Sequence, residues 1–225
     1  MARGADRHAA VLTATETEAA AKVVAEMSDA RQRFAGATRL QLHLGGWEPR
    51  DGWIIVNVED RPGVDVRSDV TDLSMFPDGS AVEIYASHVY EHLGYVEELP
   101  KALSEARRVL MPGGRLRVAV PDLTMLCRLF LQAEHEQAPV TLPDGSKTDS
   151  QFWVQRMIMG GQTEPYDFHK TGFSERILVG LLSRHGFRDF RRVDDFKLFN
   201  DCSTLTFAGA RISLNVQCIR APDPK

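Results

Sequence analysis

The stretch AVEIYASHVYEHLGYVEELPKALSEARRVLMPGGRLRVAVP, residues 81–121, decides the fold. It opens and closes with apolar-rich runs, Ala81–Ser87 and Arg115–Val120, which predict buried strands. Between them, Val96–Leu110 places apolar residues on one face of a helix, and the turn Pro112-Gly113-Gly114 ends that helix. A strand, a helix and a second strand in this order predict two parallel neighbours in one sheet.

The same alternation continues on both sides of this unit. An alanine-rich run from Thr15 to Gly36 predicts an N-terminal helix. Further strands are predicted at Arg39–Leu44, Trp53–Val58, Val64–Val70, Arg188–Val193 and Ile212–Arg220, and further helices at Leu123 to about Ala138 and within residues 174–186. The pattern therefore predicts an α/β fold with a doubly wound, mostly parallel sheet. We expect one helical turn or less between Gly45 and Gly52, because a full crossover helix needs about a dozen residues or more.

Length and composition predict a single domain. The chain has 225 residues, of which 43% are hydrophobic and 26% charged, which is ordinary for a globular protein. We expect residues 1–12 to be disordered and residues 13–225 to form one domain. Within it, residues 139–172 are predicted to form an inserted lid, or substrate-facing segment.

Charge and cysteine content exclude several classes of protein. The net charge of -4 arises from 27 basic and 31 acidic residues without long runs of either sign, which disfavours nucleic-acid and membrane partners. A small basic patch at Arg184, Arg188, Arg191 and Arg192 leaves nucleic acid open, although a solvated edge is the simpler interpretation. The three cysteines are widely spaced, and we find neither a signal peptide nor an apolar stretch of about 18 residues. We therefore expect a cytoplasmic protein.

Residues suited to an adenosine-containing ligand follow four predicted strands. They are Gly45-Gly46, Glu59, Asp69 and Ser87-His88. In an open parallel sheet, ligands bind outside the carboxyl ends of the strands. Glycines allow close backbone approach, a carboxylate such as Glu59 can accept both ribose hydroxyls, and Asp69 with the amide of Val70 can bind adenine. The alternative is that the glycines only turn the chain and the acids are solvated.

Four segments of the sequence carry a resemblance to a known family. They are LHLGGWEPRDGWIIVNVE (42–59), SDVTDLSMFPDGSAVEIYASHVYEHL (68–93), ALSEARRVLMPGGRLRVAVPDL (102–123) and GGQTEPYDFHKTGFSERILVGLLSRHGF (160–187). The chain resembles the class I, Rossmann-like S-adenosylmethionine-dependent methyltransferases from Arg39 to its C-terminus. More narrowly, it is similar to a compact subgroup whose members often have no assigned substrate. The resemblance implies about seven strands with the last one antiparallel, and S-adenosylmethionine as the cofactor.

Carried over by position, the resemblance implies a cofactor site. Its residues would be Leu44, Gly45, Gly46 and Trp47 in the first loop, Glu59 on the ribose, Asp69 and Val70 around the adenine, and Ser87 and His88 near the sulfonium. Trp47 departs from the family, which usually has another glycine there. This departure leaves open a rearranged loop, a tryptophan that covers the cofactor, or a non-catalytic scaffold protein that has lost cofactor binding.

Two histidines are candidates for acid-base catalysis. A hydroxyl acceptor benefits from a base with a pKa near neutrality, and His88 and His169 could supply it, although His169 could also simply anchor a loop. The run HVYEH matches the H-x-x-E-H zinc-protease pattern, in which His88 and His92 would bind metal beside Glu91. We expect no metal site, because that pattern normally lies on a long helix whereas His88 ends a strand.

The sequence thus predicts methyl transfer to an oxygen or nitrogen of a small molecule, for example a sugar or a secondary-metabolite intermediate. The alternatives are a non-catalytic relative of these methyltransferases and, third, a zinc hydrolase. The sequence does not predict an oligomeric state.

Overall fold

The structure, a computed structural model, describes residues 14–136, 139–141 and 145–223. The prediction for residues 1–12 lies outside the described residues. The α-helices are α1 (Ala14–Phe34), α2 (Glu98–Val109), α3 (Leu123–Glu136), α4 (Ser150–Met159) and α5 (Glu175–Arg184). Short 3-10 turns lie at Tyr90–His92 and Cys202–Thr204.

Seven strands form one central sheet. They are β1 (Leu40–Leu44), β2 (Trp53–Asn57), β3 (Val66–Arg67), β4 (Ala81–Ser87), β5 (Leu110–Pro121), β8 (Phe187–Arg192) and β11 (Ser213–Arg220), and their order is β3-β2-β1-β4-β5-β11-β8. Two small hairpins pair β6 (Pro139–Thr141) with β7 (Lys147–Asp149) and β9 (Thr206–Phe207) with β10 (Ala210–Arg211). Only β11 runs antiparallel in the large sheet, against both β5 and β8. This confirms the predicted doubly wound sheet with an antiparallel last strand.

The central unit forms because its apolar residues face the core on both elements. Leu99, Leu103 and Ala106 on α2 are buried together with Leu116 and Val118 on β5. The helix ends one residue earlier than its apolar pattern suggested, since Leu110 already begins β5. Burial of such a helical face against a sheet is the main source of stability for a helix in a folded protein.

The strand predicted at Val64–Val70 is much shorter in the structure. Only Val66 and Arg67 form β3. The next residues turn away, because Asp69 Oδ1 accepts a hydrogen bond from the amide of Thr71 at 2.8 Å and Ser68 Oγ donates to the carbonyl of Asp72 at 2.8 Å. Local bonds of this kind compete with a sheet ladder, and here they direct Asp69 into the loop.

The segments around the sheet agree with two other expectations. No helix lies between β1 and β2, whose connection at residues 45–52 is fully described. The N-terminal helix α1 covers the β3 side, where the rings of Phe34 and Phe76 lie 4.8 Å apart. In the region expected to be inserted, α4 packs Val154 against Leu126 of α3. Among the described residues, no helix combines the length and apolar character needed to span a bilayer.

Candidate active site

A cavity of about 640 Å³ lies at the carboxyl ends of β1 to β4. Its lining includes nearly all the site residues predicted from the sequence, namely Gly45, Gly46, Trp47, Glu59, Asp69, Val70, Ser87, His88 and His169. Leu44 does not line it, because its side chain is buried in the core at the end of β1. The loops that follow four different strands therefore meet at one cavity.

The two glycines of the first loop are required by their protein neighbours. A Cβ at Gly45, where φ is +75°, would lie 2.3 Å from Cγ2 of Val89, and a Cβ at Gly46 would lie 2.3 Å from Cε1 of His43. Real Cβ atoms do not tolerate such contacts. The sequence suggested that the glycines make room for a ligand, whereas the structure shows that they first make room for Val89 and His43.

His43 and Asn57 support this loop from below. Burial lowers the pKa of His43 to about 4, while the negative charge of Asp201 acts in the opposite direction, so the imidazole is neutral at pH 7. Asn57 donates from Nδ2 to the carbonyl of Gly46 at 3.0 Å and accepts from the amide of Glu59 at 3.0 Å. One buried amide side chain therefore links the loop after β1 to the loop after β2.

At the rim of the cavity, Arg61 lies close to both Glu59 and Trp47. Arg61 Nε lies 2.5 Å from Glu59 Oε2, and its guanidinium carbon lies 5.7 Å from the centre of the Trp47 ring. Trp47 is 55% exposed. The indole therefore stands at the rim, and it leaves the cavity open.

His88 follows directly after β4, and both of its ring nitrogens have a polar neighbour. Its backbone has φ +53°, an uncommon conformation for a residue other than glycine. Nε2 lies 3.0 Å from Ser213 Oγ, and Nδ1 lies 3.1 Å from Glu91 Oε1. Because the Ser213 hydroxyl donates to the carbonyl of Cys202 at 2.6 Å, it must accept from Nε2–H of His88.

The geometry at His88 also decides against the zinc-protease arrangement. Tyr90–His92 is a single 3-10 turn and His88 lies before it, so His88 and His92 are not one turn apart on a helix. His88 directs its two ring nitrogens to Ser213 and Glu91, so neither nitrogen is turned toward an ion shared with His92. The alternative of a zinc hydrolase through H-x-x-E-H lacks its geometry here.

His169 lies across the cavity from the strand ends, after α4. Nδ1 is 3.2 Å from the carbonyl of Ile158, and Nε2 has no hydrogen-bond partner among the described residues. Burial is the main reason that the pKa of His169 lies below its ordinary value, although the nearby Glu91 carboxylate opposes this effect. The ring is therefore a neutral acceptor at pH 7.

Sequence reasoning missed part of the site. Asn57 lies inside the predicted strand WIIVNV, where a polar residue in an apolar run was an available signal. Phe199, Asp201 and Cys202 line the cavity from the connection between β8 and β11, for which the sequence offered no motif. Asp201 accepts a hydrogen bond from the buried Tyr85 hydroxyl at 2.7 Å, so it fixes that connection onto β4.

Comparison with known proteins gives one family match. The family model described as "Methyltransferase domain" matches residues 49–118, which run from the loop after β1 to the middle of β5. No curated protein matches the sequence.

Solved structures that align with the chain have low sequence identity to it. An S-adenosylmethionine-dependent methyltransferase of Thermotoga maritima is 15% identical with a TM-score of 0.49, and the alignment covers 88% of this chain and 89% of that one. The 1,6-didemethyltoxoflavin-N1-methyltransferase of Burkholderia thailandensis is also 15% identical with a TM-score of 0.49, and the alignment covers 95% of this chain and 93% of that one. The CurJ carbon methyltransferase is 14% identical with a TM-score of 0.49. Here 83% of this chain aligns, and the chain spans about half of that structure, 49%.

The strand order, with one antiparallel strand beside β5, is that of the class I, Rossmann-like methyltransferase fold. Over residues 49–118, which include β2, β3 and β4 of this sheet, the chain also matches the family model of a methyltransferase domain.

Proposed function

We propose that this enzyme transfers the methyl group of S-adenosylmethionine to an oxygen or nitrogen of a small molecule, such as a sugar or a secondary-metabolite intermediate. The observation that carries the proposal is the open cavity at which the loops after β1, β2, β3 and β4 meet. Its volume of about 640 Å³ lies within the range of about 300–1,000 Å³ for small-molecule sites.

The cofactor is proposed to occupy the side of the cavity formed by the strand ends. Glu59 accepts hydrogen bonds from the ribose hydroxyls, and the Asp69-Val70 pair binds the adenine edge. Gly45 and Gly46 contact the methionine and ribose side, with Trp47 at the rim, and Ser87 and His88 lie near the sulfonium. Arg61 lies against Oε2 of Glu59, and the ribose hydroxyls are proposed to approach Oε1.

The acceptor is proposed to occupy the opposite side, formed by residues 139–172 within a single domain spanning 13–225. Thr163, Tyr166 and His169 from this segment line the cavity. His169 is the better candidate for contact with the acceptor, since its Nε2 is free among the described residues whereas both nitrogens of His88 are engaged. Methyl transfer requires the acceptor atom in line with the methyl group, and a segment facing the strand ends suits that role.

Charges on the surface favour a small acceptor over nucleic acid. In the basic patch noted in the sequence, Arg192 pairs with Asp122 at 3.0 Å and with Glu175 at 3.1 Å, and Arg188 lies 3.7 Å from Asp189. These pairs neutralise much of the patch. We propose a cytoplasmic setting, for which the three free cysteines are suited.

A transfer assay tests the proposal. The full chain is incubated with methyl-labelled S-adenosylmethionine and separate pools of hydroxylated small molecules, aminated small molecules, nucleic acid and protein. We expect label in a small-molecule pool, and NMR of the product should show an O-methyl or N-methyl group. Label confined to nucleic acid or protein, or a methyl group on carbon, would contradict the proposed acceptor.

A further inference from the structure

A second cluster of side chains in the same cavity resembles a metal-binding site. Glu91, His92 and His169 each offer a ligating atom, and these atoms lie within 4.8 Å of one another. The backbone brings them together, since the amides of Lys170 and Thr171 both donate to the carbonyl of Glu91, at 2.7 and 3.0 Å. The turn after β4 is thereby tied to the segment that carries His169.

Both imidazoles are oriented by backbone carbonyls. His92 Nδ1 lies 3.2 Å from the carbonyl of Phe168, and His169 Nδ1 lies 3.2 Å from the carbonyl of Ile158. A carbonyl only accepts hydrogen bonds, so each Nδ1 carries the proton and each Nε2 keeps its lone pair. Histidines that bind metals are held in this way, with the second nitrogen donating to a carbonyl or carboxylate. The two rings lie edge to face with their centres 4.9 Å apart.

Glu91 adds a buried carboxylate to the two imidazole rings. It is 1% exposed, and its Oε2 meets no hydrogen-bond donor among the described residues. Its other oxygen, Oε1, lies 3.1 Å from Nδ1 of His88. A buried carboxylate with an unpaired oxygen is costly unless a cation completes it.

We propose that Glu91, His92 and His169 bind one divalent metal ion of the zinc class. Two imidazole nitrogens and one carboxylate oxygen suit Zn²⁺ and its first-row neighbours, whereas Mg²⁺ and Ca²⁺ prefer oxygen ligands throughout. With metal–ligand bonds of about 2.1 Å, the ligating atoms must lie about 1 Å closer to one another than the present limit of 4.8 Å. Rotation of the partly exposed His92 side chain can shorten its distances to the other two ligands. The site differs from the H-x-x-E-H pattern, because His88 is not a ligand, and it replaces our expectation of no metal.

The site would leave a coordination position open to the cavity. Three protein ligands around a tetrahedral ion leave the fourth position for water or an oxygen of a ligand. On the proposed function, which this step presupposes, that oxygen belongs to the methyl acceptor, so the acceptor class narrows to molecules with a hydroxyl or carboxylate group. His169 then serves as a metal ligand and not as a base.

Metal titration of the full chain tests the proposal. Protein freed of metal by a chelator is titrated with Zn²⁺ by calorimetry and with Co²⁺ by visible absorption. We expect one equivalent of each metal and a Co²⁺ spectrum of four-coordinate intensity. His92→Gln and His169→Gln should each weaken binding at least about tenfold, whereas the control His185→Gln, whose ring bonds the carbonyl of Leu181 away from the cavity, should bind as the wild type does.

Two results would overturn the metal site. One is the finding that the wild-type protein takes up neither Zn²⁺ nor Co²⁺ stoichiometrically. This result does not depend on the folding of any variant. The other is unchanged affinity in folded His92→Gln and His169→Gln, which would mean that His88 alone neutralises Glu91. Titration of the metal-free protein with S-adenosylhomocysteine separates this failure from that of the proposed function. Cofactor binding without metal binding refutes the metal site alone, and metal binding without cofactor binding refutes the proposed function alone.

Discussion

Gly46 lies directly against the imidazole of His43. A Cβ at Gly46 would be within 2.6 Å of three atoms of that ring, Cε1, Nδ1 and Nε2. His43 cannot retreat easily, because its ring is buried with Phe199 at 4.0 Å and Tyr85 at 5.0 Å between ring centres. The loop after β1 is therefore shaped by a packed aromatic group beneath it.

Gly46→Ala should destabilise the protein by about 1–3 kcal/mol, since it forces an extra methyl group into a filled space. The matched control is Gly180→Ala in α5, where the nearest heavy atom to a new Cβ is 3.8 Å away. That change should stabilise the protein by up to about 1 kcal/mol, because alanine favours a helix. Urea unfolding of both variants measures the difference, and equal effects would contradict the packing at Gly46.

Glu59→Ala should weaken binding of S-adenosylhomocysteine by about 1.5–3 kcal/mol, roughly 10- to 150-fold, because ribose hydroxyls would lose a charged acceptor. The control is Asp60→Asn, which alters a carboxylate next in sequence whose side chain is 71% exposed. Calorimetry with each variant checks the prediction. Unchanged affinity in Glu59→Ala would place the ribose elsewhere.

Glu105 should contribute stability that depends on pH. Hydrogen bonds from Arg108, partly opposed by burial, and a further bond from the amide of Leu73 hold the pKa of Glu105 below its ordinary value of 4.5. Its contribution is therefore complete above that value and is lost as the pH falls through the lower pKa of the folded state. The free energy of unfolding of Glu105→Gln should be lower than that of the wild type at pH 7, and the two values should converge in acid. Urea unfolding at both pH values measures this.

The matched control for this carboxylate is the exposed Glu134 on α3. Glu134→Gln should leave the difference in the free energy of unfolding between pH 7 and acid nearly the same as in the wild type. If Glu105→Gln and wild type showed the same pH dependence, the pairing of Glu105 with Arg108 at 2.8 Å would contribute nothing to stability.

Cysteine labelling should report the burial of the last strand. Burial raises the pKa of Cys218 on β11 to about 12, and only a thiolate reacts readily with alkylating agents. Iodoacetamide at mildly alkaline pH should modify the exposed Cys127 first, and Cys218 only after unfolding. Peptide mass spectrometry measures both rates. Alkylation of Cys218 in the folded protein at the rate of Cys127 would contradict the burial of β11 inside the sheet.

Apolar periodicity was sufficient to predict the sheet, because both faces of β1, β4 and β5 are covered. The same reasoning failed at β3, where side-chain bonds of Ser68 and Asp69 end the strand early. It also could not reveal α4, whose residues were assigned to an inserted segment without a helix. The residues on both sides of α4 are rich in Pro, Gly, Asp and Thr, which are typical of turns. For this reason the apolar face of α4, which packs on α3, was not recognised in the sequence.

The strand-end residues were predictable because parallel strands place their carboxyl ends on one edge. The proximity of Glu91, His92 and His169 could not be predicted from the sequence. His92 and His169 lie 77 positions apart in the chain, and only the fold brings them together. The role of Asp201 was hidden for the same reason. Its hydrogen bond to Tyr85 joins positions 116 residues apart.

The most direct test is a crystal structure of the full chain soaked with S-adenosylhomocysteine. The account predicts adenosine in the cavity at the strand ends, with ribose hydroxyls about 2.5–3.0 Å from the Glu59 carboxylate, adenine beside Asp69 and Val70, and sulfur near Ser87. A nucleoside bound away from Glu59, or no density at a saturating concentration, would contradict it.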